Sequence, residues 1–372
     1  MRHRFVNILR LLVLHAICAT QMYGQSQLVE TTVFSKGESG YHTFRIPAIV
    51  KTKGGTLLAF AEGRKSARAD YGDIDLVLKR SIDDGQTWGP IQLIWDDDLN
   101  TCGNPAPVID EKSGKIILLS TWNLGSDREH EIIDGMSKDT RRIFVLESID
   151  EGASWSTARE ITEEVKNDAW TWYATGPGSG LQVRKGPYAG RLVLGCDHIE
   201  AQSKKYYSHV IYSDDGGKNW ALGGSTPMDQ VNECEVAELP KGLLMLNMRN
   251  YDRSKKYRQT AISSDGGLNW SHQKHDNELV EPRCQASLQT HPSLKLLLFS
   301  NPADMDDRKR MTLRFSSDWG HSWPTSVILH EGPAAYSDIV VLEANEVGCF
   351  YEKGVQDPYE EIVFARLFLS QK

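Results

Sequence analysis

One octapeptide, Ser-x-Asp-x-Gly-x-(Thr/Ser/Asn)-Trp, recurs five times in this chain. It reads SIDDGQTW at 81–88, SIDEGASW at 148–155, SDDGGKNW at 213–220, SSDGGLNW at 263–270 and SSDWGHSW at 316–323. Each element suits a hairpin: the Asp accepts turn amides, the Gly supplies positive φ, and the Trp packs beneath. Five copies at intervals of 50 to 67 residues predict a repeat fold with several strands per unit. A structural role for all five copies excludes them as the site of chemistry, even though the last carries His321.

Apolar runs of strand length surround each copy. FRIPAIV, TLLAFAE and IDLVLKR precede the first and IQLIW follows it; EVAEL, GLLMLNM and YRQTAIS precede the fourth. Three runs after the fifth copy, SDIVVLEA, EVGCFYE and EIVFARLFL, have no octapeptide of their own. LVETTVF at 28–34 is available as their missing outer strand, which would close the ring and remove open edges. The expected fold is therefore all-β, a six-bladed β-propeller of four-stranded antiparallel blades. The 31 glycines and ten tryptophans suit it, and no linker marks a second domain within 25–372.

Residues 1–24, MRHRFVNILRLLVLHAICATQMYG, combine basic residues with a short apolar run and then small residues. They read as a signal peptide, too short for a membrane span, and predict an exported protein, periplasmic or secreted. LHAIC resembles a lipoprotein cleavage box around Cys18, with Ile17 where a small residue is wanted. Losing this segment removes three arginines and no acids, taking the net charge from −8 to −11. Such a charge argues against nucleic acid as a partner. Cys102, Cys196, Cys234, Cys284 and Cys349 lie far apart, with no metal-binding spacing, and read as buried free thiols. No His/Cys ligand cluster occurs, so no metal or organic cofactor is expected.

Connectivity decides where chemistry gathers. If the octapeptides join third to fourth strands at one end, then strand-one starts and strand-two ends share the other. That end receives Arg45 in FRIP, Arg64 in EGR, Asp70 in the following loop, Glu233 in NEC, Arg249 in NMR, Arg308 in DRKR and Tyr336 in AYSD. A guanidinium opening an apolar strand at Arg45 then faces a shared pocket instead of a core. Trp122, Trp170 and Trp172 are candidates either to line such a pocket or to fill the buried core.

Together the FRIP element, the five octapeptides (Asp boxes), EGR with an Asp six residues on, NEC, NMR and AYSD resemble the sialidase (exo-α-neuraminidase) family over essentially the whole mature chain. The resemblance implies an enzyme removing terminal α-linked sialic acids from oligosaccharides, glycoproteins or glycolipids, with retention of configuration. It implies Arg45, Arg249 and Arg308 as the clamp for the substrate carboxylate, Arg64 as an auxiliary contact, Tyr336 as nucleophile, Glu233 (not Glu235) as its base, and Asp70 as acid/base. Arg308 is preferred over Arg310, since Arg310 falls in the alternation of the following strand. A sugar-binding propeller without catalysis and a trans-sialidase are the alternatives. A glycosidase of another kind would carry a carboxylate pair in place of the arginines.

Overall fold

A computed structural model describes residues 28–369; the expected leader at 1–24, with Cys18, lies outside the described residues. The described residues are all-β, with only two short α-helices among them, Glu129–Asp134 and Thr162–Val165. No helix among the described residues is long and apolar enough to cross a membrane.

Neighbouring strands pair antiparallel in runs of four. Thr43–Lys51, Leu57–Arg64, Ile74–Ser81 and Gln92–Trp95 form the first run. Thr101–Ile109, Ile116–Asn123, Arg142–Ser148 and Arg159–Glu160 form the second. The third is Trp170–Thr175, Leu192–Glu200, Tyr206–Ser213 and Ala221–Ser225. The fourth is Val231–Glu238, Leu244–Asn250, Tyr257–Ser263 and Lys274–Val280. Ser287–His291, Leu296–Pro302 and Lys309–Ser316 lead into the 19-residue strand Thr325–Glu343, whose first half completes the fifth run. Its second half pairs with Glu346–Lys353, which pairs with Glu361–Phe368, and that strand takes Leu28–Ser35 as its outer neighbour. The early segment thus joins the last strands, as its sequence position suggested.

The five octapeptides each connect the third and fourth strands of a run and share one hydrogen-bond pattern. In the first, Ser81 Oγ donates to Asp83 Oδ1 at 2.7 Å and accepts the Gly85 amide at 2.9 Å. The Thr87 amide and hydroxyl donate to the two Asp83 oxygens at 2.9 and 2.6 Å. Gly85 sits at φ 82°, a left-handed conformation natural to glycine. These bonds, led by that from the Thr87 hydroxyl, hold the Asp83 carboxyl down at about 2. Trp220, Trp270 and Trp323, the last residues of three copies, are buried in the core.

The first strand of five runs carries a register irregularity near the same end. It falls between Arg45 and Ala48, between Gly103 and Ala106, between Trp170 and Trp172, between Val231 and Cys234, and between Ala334 and Ser337. Ile46 and Asn104, each followed by proline, adopt φ 59° and 52°. A β-branched residue in that region is an outlier, and bulges of this kind re-aim side chains. Tyr336 lies at the last of these bulges, where the half of Thr325–Glu343 that pairs in the sixth run begins. The fifth and sixth runs share that one strand. All five cysteines of the described residues are buried and free. Burial pushes the Cys196 thiol up to about 12, which keeps it unreactive.

Candidate active site

Arg45, Arg64, Asp70, Glu233, Arg249, Arg308 and Tyr336 all line one cavity of about 160 Å3. The bulged strands supply Arg45, Glu233 and Tyr336; strand ends supply Arg64 and Arg249; connecting segments supply Asp70 and Arg308.

Tyr336 stands at the centre. Its Oη donates to Glu233 Oε1 at 2.6 Å and accepts from Arg249 Nη1 at 3.1 Å. Arg249 Nη1 also reaches Glu233 Oε2 at 2.6 Å. The guanidinium carbon of Arg45 lies 5.1 Å from the Tyr336 ring centroid and that of Arg308 lies 5.6 Å away. Three cations therefore surround one phenol. Burial, and then the Glu233 carboxylate, hold that phenol well above its ordinary pKa, so it is neutral in the free site.

Buried carboxylates keep the arginines in place. Glu352 accepts from Arg45 Nε at 3.0 Å and Nη2 at 3.4 Å, and also from the amides of Ile46 at 2.9 Å and Tyr336 at 3.1 Å. Burial works against the charge of Arg45, but Glu352 outweighs it and the guanidinium stays firmly protonated. Glu62 Oε2 holds Arg64 through Nε at 2.9 Å and Nη2 at 2.6 Å. Arg308 donates to Tyr359 Oη at 2.7 Å and to the Arg283 carbonyl at 3.2 Å. Arg310, by contrast, is half exposed, lies outside the cavity and faces Glu331 at 3.4 Å.

Asp70 occupies the mouth, its side chain 64% exposed while that of Arg64 is 2% exposed. Arg64 Nη1 approaches Asp70 Oδ1 to 2.7 Å and Arg45 Nη1 to 3.4 Å. Desolvation tends to raise the Asp70 carboxyl, but the two guanidiniums prevail and hold it below the usual carboxylate range.

The opposite wall was not read from sequence. Asp197 is fully buried, accepts from Asn232 Nδ2 at 2.7 Å, and leaves Oδ2 without a partner among the described residues. Burial, and then nearby Glu233, push its carboxyl well up. Arg141 donates to Asn104 Oδ1 at 2.7 Å and lies 4.2 Å from the Trp172 ring centroid. Of Trp122, Trp170 and Trp172, for which pocket wall and buried core were both open, only Trp172 lines this cavity. Trp122 belongs to a core cluster and donates to Asp97, and Trp170 stacks on His198 at 3.6 Å. Among the described residues no group of three or more His, Cys, Asp or Glu is arranged to hold a metal ion.

Residues 55–349 match the family model described as a BNR repeat-like domain, which sets the class of the chain. The chain is 32% identical over 401 residues to Sialidase-3 of Homo sapiens, covering 89% of this chain and 90% of that protein. It is 30% identical over 359 residues to a sialidase of Micromonospora viridifaciens, covering 92% of this chain and 55% of that one. A solved structure, Hadza microbial sialidase Hz136, superposes with a TM-score of 0.82 at 31% identity, covering 90% of this chain and 67% of that one. This chain belongs to the sialidase family. It spans about half the length of the Micromonospora relative.

Proposed function

We propose that this chain is an exo-α-sialidase, exported after loss of residues 1–24, built as a closed six-bladed β-propeller. The observation that carries the reading is the contact of Tyr336, Glu233 and Arg249 inside a cavity flanked by Arg45 and Arg308 and capped by Asp70. The ring closes where Leu28–Ser35 pairs with Glu361–Phe368, each run of four strands being one blade.

The chemistry follows from the charges. A sialoside carries its carboxylate on the anomeric carbon, so an anionic nucleophile is repelled by the substrate it attacks. Arg45, Arg249 and Arg308 fork the carboxylate and stay charged at any working pH. Tyr336 presents a neutral phenol beside it. As Oη bonds to the anomeric carbon, its proton passes to Glu233 at 2.6 Å. The glycosidic oxygen leaves with a proton from Asp70, which then activates water to release the sugar. Two displacements return the starting configuration, the tyrosine variant of the retaining scheme.

Asp70 must carry that proton although the free site keeps it ionised. A bound carboxylate resolves the conflict by adding negative charge beside Asp70 and occupying Arg45. Both effects raise the Asp70 pKa in the complex.

The substrates are sialylated oligosaccharides, glycoproteins or glycolipids. The test is release of fluorophore from an aryl α-sialoside, followed by a linkage panel of sialyl-lactoses with and without excess lactose. Free sialic acid as the product supports the reading. Transfer to lactose instead would make the chain a trans-sialidase, and no turnover at all would leave it a binding protein.

A further inference from the structure

Outside the catalytic cavity, the seam between the first and second runs of strands holds an open groove of about 660 Å3. Trp95, Phe144 and Trp122 line it, with ring centroids 4.8 Å apart for Trp95 and Phe144 and 6.5 Å apart for Trp122 and Phe144. Trp95 and Phe144 are only partly buried, and Leu93 at the edge is 51% exposed. Adjoining aromatic rings that keep contact with water are unlike the filled cores on either side.

Polar groups stand at the rim. Asp97 accepts Trp122 Nε1 at 2.7 Å and Asn100 Nδ2 at 2.8 Å, both on Oδ2, so Oδ1 keeps its acceptor capacity. Asp96 adds a second carboxylate. Arg142 is neutralised by Asp139 at 2.6 Å and lies 5.4 Å from the Trp122 ring centroid. The groove thus offers apolar ring surface, carboxylate acceptors and net negative charge, whereas the catalytic cavity gathers arginines.

We propose that this groove is a second carbohydrate-binding site, taking the neutral, uncharged part of a glycan. A pyranose ring is apolar on its C–H faces and carries donor hydroxyls on its edge, which suits aromatic rings rimmed by carboxylates. Asp96 and Asp97 repel an anionic sugar, so the groove selects against a sialylated end. Its position favours the same molecule: Trp122 pairs with Cys102, next to Thr101 on the wall of the catalytic cavity. A branched or multivalent carrier is then held by a neutral arm while another arm enters the cavity.

The test uses the full chain and does not depend on the sialidase reading, because binding is measured directly. Lactose is titrated by calorimetry, and lactose clusters on a polymer serve as a multivalent probe. Lactose is expected to bind with a dissociation constant of about 1 to 10 mM. Trp95→Ala should weaken that binding at least about tenfold. Leu93→Arg, at an exposed rim position that leaves the core untouched, should weaken it as well. Both variants should keep their kcat/KM on a small aryl sialoside within about twofold, while KM on a densely glycosylated carrier rises. Absence of lactose binding up to about 20 mM would overturn the proposal, as would unchanged binding in Leu93→Arg and a folded Trp95→Ala. Loss of aryl sialoside turnover in the wild-type chain would instead count against the catalytic reading alone.

Discussion

Tyr336 Oη lies 2.6 Å from Glu233 Oε1, with Arg249 on its hydroxyl and Arg45 and Arg308 beside its ring, so the residue scale is where the proposed reaction is decided. Asp70 gives the first prediction. Its pKa is lowered in the free site by Arg64 and Arg45 against the cost of desolvation, and substrate binding should raise it. The acid must be protonated for the leaving group to depart. The group whose deprotonation lowers the rate should therefore titrate at higher pH in the kcat profile than in the kcat/KM profile; coincident or reversed values would contradict the account. Asp70→Asn should slow sialyl-lactose far more than an aryl sialoside, and equal losses would remove Asp70 from the acid role. The third arginine gives the second prediction. Arg308 lies against Tyr336 and Tyr359, so Arg308→Lys keeps the charge, loses the fork and should raise KM about tenfold, ~1.4 kcal/mol. Arg310→Lys, at a half-exposed position facing Glu331, should leave KM within about twofold. Steady-state kinetics on the two variants decides between them.

At the scale of elements, the Asp boxes hold turns and the bulges aim side chains. Removing the carboxylate in Asp83→Ala strips the Thr87 amide and hydroxyl of their acceptor and should cost about 1 to 2 kcal/mol. Urea unfolding should show the loss while kcat stays unchanged; an equal loss of activity would put the boxes in the chemistry. Because Asp83 and Asp215 are held at about 2 when folded, their contribution is complete above the ordinary carboxylate value and fades as pH falls from about 4 toward 2. The boxes, the strand rhythm and the end at which Arg45, Asp70 and Glu233 meet were legible because antiparallel connections alternate ends. The bulges were not read, although proline after Ile46 and Asn104 was a local sign of altered backbone. Glu352 and Glu62 went unread because a carboxylate inside a strand looks solvated until its buried arginine is known. Trp122, Trp170 and Trp172 could not be sorted between core and catalytic cavity for the same reason, since an indole that fills a core and one that lines a pocket look alike in sequence.

For the whole molecule, the first and last of the described strands pair with each other. Phe34 is fully buried, 5.0 Å from the Phe44 ring centroid and 6.3 Å from that of Phe350. One cluster thus joins the outermost strand, the last strands and the strand that carries Arg45. Phe34→Ala should lower stability by about 3 to 5 kcal/mol, read as a shifted denaturant midpoint with an unchanged slope. A loss below about 1 kcal/mol would mean that this closure does not bear on the fold. In the proposed ring, every blade directs its innermost strand toward one axis, and the residue that ends up there with a proton acceptor and three cations is Tyr336. The most direct measurement is to trap it. Incubation with a 3-fluorosialosyl fluoride, digestion and peptide mass analysis should show one fluorosialosyl group on Tyr336, with no label in Tyr336→Phe. A label on a carboxylate instead, or one that persists in Tyr336→Phe, would contradict the account.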